Sequence, residues 1–379
     1  MGLRFARKVG LLGMVVGLLM ATVTASAAAS PSLEAMVGQM LMIGFRGTTF
    51  EAKSPLGEAI TEGNLGGVVL YGRDVALNKP MRNIRSAAQL QTLTADLQGQ
   101  ARIPLFIAID EEGGRVSRLA PRFGFPETVT AATWGRRNDP AWTRRGARAI
   151  GQRLRNLGCT INLAPVVDLN TNPDNPAIGK LERSFGANPD TVTRQAAAFI
   201  HGLHDAGILA CIKHFPGHGS AYNDSHLGLT DISTTWSPKE LEPYKRLVDR
   251  GLADAVMTAH VFHAGLDPKV PATLSAEIIP EILRREIGYE GVVISDDLQM
   301  GAIRQSFSLR QTVRRCLEAD VDIFLFGNNL EYEPFVWRRV QRIVRDLVDQ
   351  NIVSRSRIER SYNRIQRLKE RMELFQGRS

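Results

Sequence analysis

The sequence predicts an α/β fold, a (β/α)8 barrel with a C-terminal helical extension, and two observations carry that prediction. Eight short apolar runs alternate with longer stretches of helical character, and polar side chains suited to a binding site stand at the ends of several runs. Nearly continuous apolar runs indicate strands buried on both faces, as in a parallel sheet enclosed by helices. The length of 379 residues suits one barrel with insertions.

Each predicted strand is one of these runs. They cover residues 39–45, 66–70, 105–110, 160–166, 211–214, 254–259, 292–295 and 323–326. The intervening segments carry helix-start signals, including the predicted capping boxes Ser237–Glu240 and Ser308–Gln311. Such strict alternation of strand and helix favours a parallel barrel.

A helical tail is predicted from about residue 334 to residue 372. Apolar residues recur there at steps of three and four, which predicts a stripe that docks on the barrel. The stripe consists of Ile358, Tyr362, Ile365, Leu368 and Met372. The domain organisation expected is therefore a signal peptide at 1–27, a catalytic barrel at 28–331 and a helical tail at 332–379.

The first segment has the pattern of an export signal. Three basic residues (Arg4, Arg7 and Lys8) precede an apolar run over 9–23 and the small-residue site Ala25-Ser26-Ala27. A membrane anchor is the alternative, but the run is shorter than the roughly 20 residues that span a bilayer. We expect a cleaved signal, a periplasmic or secreted protein, and no stable membrane insertion.

Composition narrows the classes of partner. The hydrophobic fraction of 44% supports a sizeable core. The formal charge of +8 includes the three leader cations, which leaves 8 − 3 = +5, and basic residues in the tail do not alternate with aromatics. No nucleic-acid partner is therefore expected, and we expect a monomer. The cysteines, Cys159, Cys211 and Cys316, suggest no disulfide framework; the first two are expected to be buried as small apolar residues.

The stretch Lys213–His226 carries one lysine, three histidines and one aspartate in a segment broken by a proline and two glycines. In one interpretation His218 and His226 bind zinc, but no helix or cysteine supports a metal site. In a second, Asp224 orients His226, which then transfers protons near neutral pH. In a third, the segment is an ordinary turn with incidental histidines.

The positions of the polar residues favour a functional site. In a barrel, the carboxyl ends of all the strands meet at one face, where the loops build the active site. Polar residues follow or end five consecutive predicted strands: Asp110, Asp168, Lys213 with His214, His260 and Asp296. Unrelated turns would not be expected to converge in this way.

Several of these residues suit work on a hydroxyl-rich ligand. Asp296 can attack an electrophilic carbon from the end of the seventh strand, whereas Asp297 could do the same or cap the next helix. Asp110 and Arg118 flank a Gly-Gly bend, where they can grip vicinal hydroxyls or form an internal ion pair. Arg183 can join them from another loop.

Lys213 and His214 both carry N–H groups able to contact the same ligand. The Gly113-Gly114 pair lacks the spacing of a glycine-rich phosphate-binding loop. We therefore expect neither a metal nor a cofactor.

The motifs together resemble glycoside hydrolase family 3, specifically its bacterial β-N-acetylglucosaminidases. The resemblance rests on Asp110–Arg115, Glu182–Gly186, Lys213–His226 and Ser295–Leu298. It implies that Asp296 is the nucleophile of a retaining hydrolysis and that Asp224 and His226 form the acid/base dyad. It also implies that terminal N-acetylglucosamine is held by Asp110, Arg118, Arg183, Lys213 and His214.

Two features depart from the family pattern. Ser220 replaces an acidic residue often found after the Gly217-His218-Gly219 turn, and the leader differs from the cytoplasmic members. The substrate expected is a peptidoglycan fragment or a chitin-like oligosaccharide. The glycines are expected to let the loop move over the substrate. A phosphorylase and a non-catalytic glycan-binding protein remain alternative hypotheses, the former because a histidine does not repel phosphate as a carboxylate would.

Overall fold

The computed structural model describes residues 1–2, 31–225 and 228–377. The predicted signal peptide, residues 1–27, lies outside these ranges apart from its first two residues, and the predicted acid/base residue His226 lies outside them as well. Residues from Ser32 onward form one compact unit.

Eight parallel strands form the barrel, and each of them overlaps one of the eight predicted runs. Their order in the sheet is β7-β6-β5-β4-β3-β2-β1-β8, and a parallel bridge between Ile294 and Ile323 joins the two ends. Each strand therefore lies beside its neighbour in sequence, as a (β/α)8 barrel requires. The fold prediction is confirmed. The strands are β1 Leu41–Gly44, β2 Gly67–Leu70, β3 Phe106–Ile109, β4 Ile161–Asn162, β5 Leu209–Phe215, β6 Ala255–Thr258, β7 Val292–Ile294 and β8 Phe324–Phe326.

Strand β4 is much shorter than the predicted run 160–166. Pro165 has no N–H group and donates no ladder hydrogen bond, although the carbonyls of Ala164 and Pro165 still accept from the amides of Cys211 and Lys213. Pairing resumes beyond it, where Val166 forms a parallel bridge with Lys213. The segment after β4 thus stays beside β5 and leads directly to Asp168.

Helices cover the outside of the sheet. In the described part of the chain the α-helices are α1 Leu33–Gln39, α2 Pro55–Thr61, α3 Ala87–Gln100, α4 Ala131–Arg137, α5 Pro140–Asn156, α6 Pro189–His204, α7 Glu242–Asp249, α8 Gly301–Arg304, α9 Leu309–Glu318, α10 Val336–Asp349 and α11 Arg355–Gly377. A wider π-type helix covers Ile278–Glu286 between β6 and β7. Short 3-10 turns lie at Pro121–Phe123, Pro238–Leu241 and Ala272–Leu274. No helix within the described ranges has both the length and the apolar character needed to cross a bilayer.

Two short ribbons extend the loops at the carboxyl ends of the strands. Glu111–Gly113 pairs with Val116–Ser117 in an antiparallel hairpin directly after β3. Thr230–Asp231 pairs with Val261–Phe262 in parallel, linking the loops after β5 and β6. Both ribbons stiffen loops that carry predicted site residues.

One predicted capping box is present and the other is not. At Ser308 the side-chain and backbone bonds of the box with Gln311 are both formed. At Ser237 the side chain accepts from the amide of Lys239, but Glu240 turns inward and its Oε2 accepts from the amide of Leu169 at 3.3 Å. The second capping-box prediction is wrong, because a buried loop amide competes for this carboxyl.

The tail packs as its apolar stripe predicted. Ile358, Ile365, Leu368 and Met372 are buried in the main core, and Tyr362 packs partly buried against it. A buried polar network adds to this apolar contact on α11. Its members are Arg357, which donates to the carbonyls of Leu317 and Val321 at 2.8 Å each, and Arg364, whose Nη1 lies 2.7 Å from Asp320 Oδ2. The C-terminal helix is thus an integral part of the barrel's outer layer.

The three cysteines are buried free thiols. Cys159 and Cys211 are fully inaccessible, which confirms the expectation that they pack as small apolar residues. Burial also raises the pKa of Cys159 to about 12, so its thiol stays protonated and unreactive at neutral pH.

Candidate functional site

An open cavity of about 340 Å³ lies at the carboxyl ends of the strands. Its wall includes Tyr71 after β2, Asp110 after β3, Lys213 and His214 in β5, and Asp296 after β7. Arg118 and Arg183 also line it. Six of the eight predicted site residues therefore face one space.

Lys213 is the central cation of the cavity wall. Its Nζ lies 2.7 Å from Asp110 Oδ1 and 2.7 Å from Glu112 Oε1, and its side chain is only 2% exposed. Burial alone would lower the pKa of Lys213, but the two carboxylates outweigh burial and raise it. The ammonium therefore stays charged and can direct a remaining N–H toward a sugar hydroxyl.

A tight hairpin returns Arg118 to Asp110. Gly113 and Gly114 have φ values of 96° and 58°, which favour glycine, and a Cβ on Gly114 would meet Thr130 Cγ2 at 2.2 Å. Arg118 Nη2 then donates to Asp110 Oδ2 at 2.9 Å. The ion-pair alternative raised by the sequence is thus present, and the paired side chains still face the cavity.

The pKa of Asp110 reflects this surrounding charge. Burial raises it, but Lys213 and Arg118 more than compensate and hold the pKa well below its usual range. The carboxylate is ionised at every working pH. It can accept hydrogen bonds from sugar hydroxyls but cannot donate a proton.

Glu112 holds Arg183 in a bidentate pair that the sequence analysis did not identify. Arg183 Nε and Nη2 each donate to a carboxylate oxygen at 2.8 Å, and Nη1 donates to the carbonyl of Ala177 at 2.9 Å. Burial raises the pKa of Glu112, but Arg183 and Lys213 lower it to about 2. The motif Asp110–Arg115 could have suggested such a pair. It places a carboxylate, Glu112, two positions after Asp110, and this second carboxylate needs a cation of its own.

Asp168 orients His214. Its Oδ2 lies 2.7 Å from His214 Nδ1, and its Oδ1 accepts from the amides of His214 at 3.2 Å and His218 at 2.8 Å. His214 Nε2 lies 3.2 Å from Arg183 Nη2, which can only donate. The ring proton therefore lies on Nδ1, toward Asp168, and Nε2 is an acceptor.

This arrangement corrects one detail of the sequence analysis, which expected an N–H of His214 to reach the ligand. The ring N–H is directed to Asp168 instead. Burial raises the pKa of Asp168, but the two histidines and their amides lower it overall, so the carboxylate stays charged. The sequence identified Asp168 by its position after the fourth run, but it did not identify His214 as its partner.

Asp296 presents a carboxylate to the cavity on a braced turn. Its Oδ1 accepts from the amide of Asp297 at 2.8 Å. The Asp297 carboxylate accepts from the amides of Gln299 at 3.0 Å and Gly327 at 2.9 Å, while its carbonyl oxygen accepts from His260 Nε2 at 3.0 Å. Asp297 thus has the bracing contacts of a capping residue, and Asp296 is the more exposed of the two.

Tyr71 is a cavity residue that the sequence analysis missed. Burial, with the charges of Asp297 and Asp110 nearby, raises the pKa of Tyr71, so the phenol keeps its proton. A Cβ on Gly327 would lie 2.6 Å from its hydroxyl, so a larger residue there would displace the phenol. Its position directly after the second predicted strand could have identified it by the same convergence rule.

The structure describes only one of the two residues of the predicted acid/base dyad. Asp224 is described and does not line the cavity, and His226 lies outside the described residues. Ser225, between them, is buried: its Oγ lies 3.2 Å from His218 Nε2 and its carbonyl accepts from the amide of Ala302 at 3.3 Å. Ser225 is therefore held by His218 of its own loop and by α8, which follows Asp296.

His218 contributes to this attachment as a neutral ring. Burial lowers its pKa to about 4, despite the opposing charge of Asp168. Across the described residues no group of three or more potential metal-binding side chains occurs. In the zinc interpretation His218 would bind the metal through a ring nitrogen. One of its two ring nitrogens, Nε2, instead contacts Ser225.

Comparisons with known proteins identify the family to which the chain is similar. A family model described as the glycosyl hydrolase family 3 N terminal domain matches residues 32–368. The chain is 37% identical over 335 residues to a beta-hexosaminidase of Alkalilimnicola ehrlichii, covering 86% of this chain and 88% of that protein. It is 33% identical over 376 residues to beta-hexosaminidase A of Pseudoalteromonas piscicida, covering 89% of this chain.

Solved structures show the same architecture. A beta-N-acetylglucosaminidase of this family from Paenibacillus sp. str. FPU-7 superposes with a TM-score of 0.82 at 35% identity, covering 91% of this chain. The chain spans only 61% of the Pseudoalteromonas protein and 63% of the Paenibacillus chain. The match therefore covers less than two thirds of each of these two relatives.

Proposed function

Because the chain belongs to glycosyl hydrolase family 3, we propose that it is an exo-acting, retaining β-N-acetylglucosaminidase. Membership confirms the resemblance drawn from the sequence motifs. The activity is supported by relatives named beta-hexosaminidase at 33% and 37% identity. The roles of individual residues are proposed from the cavity.

One observation carries the proposal: the carboxylate of Asp296 lines the same cavity as the charged groups proposed to bind the sugar. Lys213 and Arg118 hold the ionised Asp110, and Arg183 is rigidly paired with Glu112. A fixed set of charged donors and acceptors suits a hydroxyl-rich ring. In this arrangement the ring is held so that its anomeric carbon faces Asp296.

The reaction then follows the two-step retaining scheme. Asp296 attacks the anomeric carbon and forms a glycosyl-enzyme, while His226, oriented by Asp224, gives a proton to the leaving oxygen. His226 then takes a proton from water, which displaces the Asp296 carboxylate and restores the starting configuration. An imidazole suits both steps because it titrates near neutral pH.

The attachment of Ser225 supports this placement of the dyad. Ser225 contacts His218 in its own loop and Ala302 in α8, the helix that follows Asp296. We propose that the dyad acts from its position beside this anchored residue. We propose that the loop after β5 moves over bound substrate.

The proposed substrate class and location rest on the export signal predicted from the sequence. An export signal would bring the enzyme to the cell envelope or outside the cell, where peptidoglycan fragments and chitin-like oligosaccharides carry terminal N-acetylglucosamine. We propose cleavage of such glycans by a monomeric enzyme in the periplasm or medium.

The test is hydrolysis of 4-nitrophenyl glycosides that differ at the second carbon of the sugar. The N-acetyl-β-glucosaminide should be cleaved far faster than the β-glucoside, with β-N-acetylglucosamine as the first product seen by proton NMR. Adding phosphate should neither speed turnover nor yield a sugar phosphate. A sugar phosphate product would show that the enzyme is a phosphorylase and not a hydrolase. Tight sugar binding without cleavage would indicate a non-catalytic protein.

The variant Asp296→Ala tests the nucleophile. It should fold normally and lose nearly all turnover, and azide should restore cleavage of an activated glycoside with an α-glycosyl azide as product, because azide attacks from the vacated face. The exposed Asp349→Ala is the matched control. Near-normal turnover in Asp296→Ala would remove this residue from the mechanism.

A further inference from the structure

Glu240 is a buried carboxyl group immediately behind the sugar-binding loops. It lies in the short turn Pro238–Leu241 ahead of α7, and only 1% of its surface is exposed. Its Oε2 accepts from the amide of Leu169 at 3.3 Å, and among the described residues Oε1 has no hydrogen-bond partner. A buried carboxyl with so few donors is poorly suited to carry a charge.

The surroundings of Glu240 contain negative rather than positive groups. Asp168, from the loop after β4, and Tyr244, from α7, are the ionisable side chains that face it. His214 in β5, through its ring, and His218 in the loop that follows, through its amide, donate to Asp168 instead. Within the described ranges no lysine or arginine pairs with Glu240, so ionisation would place a second carboxylate beside Asp168 without compensation.

Close packing links Glu240 to both loops of the cavity wall. A Cβ on Gly217 would lie 2.7 Å from Glu240 Oε2, so the carboxyl group rests directly against the turn that follows His214. A Cβ on Gly219 would lie 1.7 Å from the carbonyl oxygen of Leu169, the residue whose amide Glu240 holds. Any movement of the carboxyl toward water must disturb this packing.

We propose that Glu240 is a positioning residue that works as a neutral carboxylic acid, supporting the Asp168–Leu169 segment and the Gly217 turn so that Asp168 can orient His214. Ionisation of Glu240 would repel Asp168 and loosen both loops. The consequence is a loss of sugar affinity at alkaline pH. Burial, with the charge of Asp168, raises the pKa of Glu240 to about 8, which places this change just above neutrality.

The sign of the stability change follows from proton binding. The folded state keeps the Glu240 proton up to about pH 8, whereas the unfolded chain loses it near 4.5. The folded state is therefore progressively disfavoured as pH rises through this window. Glu240→Gln removes the titration while keeping a neutral side chain of the same size, so the melting temperature of the variant minus that of wild type should rise between pH 5 and pH 8.5.

A second measurement addresses positioning and rests on the proposed function. Wild-type affinity for free N-acetylglucosamine, measured by calorimetry, should fall about tenfold from pH 7 to pH 9 if the ionised form does not bind. Glu240→Gln should keep most of its affinity over that range. Glu290→Gln, at an exposed glutamate, is the matched control and should behave as wild type in both measurements.

The outcomes are distinguishable. A melting-temperature difference that stays flat with pH would show that Glu240 does not hold a proton and would overturn the inference. A rising difference with the same loss of affinity in variant and wild type would overturn the positioning role. Failure of any hexosaminide to bind or react would count against the proposed function alone, because the melting measurement needs no ligand. Should Glu240→Gln fail to fold, Glu240→Met offers a neutral group of similar size for the same comparison.

Discussion

Replacement of Lys213 by methionine tests the charge network that shapes the cavity. Lys213 is the cation shared by Asp110 and Glu112, each at 2.7 Å, and its side chain is 2% exposed. Methionine keeps most of the volume and removes the charge. Two buried carboxylates would then share Arg118 and Arg183, which bind only one of them each.

The expected cost can be worked from the structure. Arg183 and Lys213 together lower the pKa of Glu112 from 4.5 to about 2, which corresponds to about 3 kcal/mol of stability at neutral pH. Breaking one partner of a buried ion pair typically costs about 3–5 kcal/mol. We therefore expect Lys213→Met to lower the melting temperature by on the order of 5–10 °C at pH 7.

The pH dependence has a definite sign. Because the pKa of Glu112 is lower in the folded than in the unfolded state, its stabilisation is complete above pH 4.5 and is lost as pH falls toward 2. The difference in melting temperature between wild type and Lys213→Met should therefore be largest at pH 6–8 and shrink below pH 4.5. Thermal melts across pH 3–8 measure it.

Catalysis provides the second assay. Loss of a charged donor to a sugar hydroxyl should lower kcat/KM on 4-nitrophenyl N-acetyl-β-glucosaminide by roughly 10- to 150-fold, which corresponds to about 1.5–3 kcal/mol. The exposed Lys269→Met is the control and should match wild type. Equal melting temperatures and equal kcat/KM in Lys213→Met and wild type would refute the assignment of Lys213 as the central cation.

Two further substitutions test the orientation of His214 and the acid role. Asp168→Asn removes the carboxylate that accepts from His214 Nδ1 at 2.7 Å. Steady-state kinetics should therefore show KM raised by roughly tenfold or more, with a smaller change in kcat. A change confined to kcat would contradict a binding role. His226→Ala should slow poor leaving groups by about 10²–10⁴-fold and activated aryl glycosides much less, and equal losses across a leaving-group series would argue against proton donation.

The convergence of the site was readable from the sequence because barrel topology is a strong constraint. Once eight apolar runs are identified as parallel strands, their carboxyl ends must share one face. Asp110, Lys213 and Asp296 are far apart in sequence, yet all three line the cavity. Tyr71 obeys the same rule, but its residue type gives no sequence signal that separates a cavity wall from the apolar core.

The pairing of charges was not readable in this way. Glu112 and Arg183 are 71 positions apart, and Asp168 and His214 are 46 apart. Neither separation is a helix or strand repeat, so no local pattern selects one partner among the many acids and bases at the rim. The tautomer of His214 likewise depends on two contacts from different loops.

Glu240 shows the limit most directly. Its spacing from Ser237 satisfies a local capping pattern, yet the side chain turns inward to a loop amide brought near by β4. The apolar and polar periodicity of this chain was sufficient to assign strands, helices and the face that bears the site, because burial acts on each segment locally. Which charged groups meet, which carboxyl keeps its proton and which way each imidazole points were decided only in the folded barrel, because they depend on distances between remote segments.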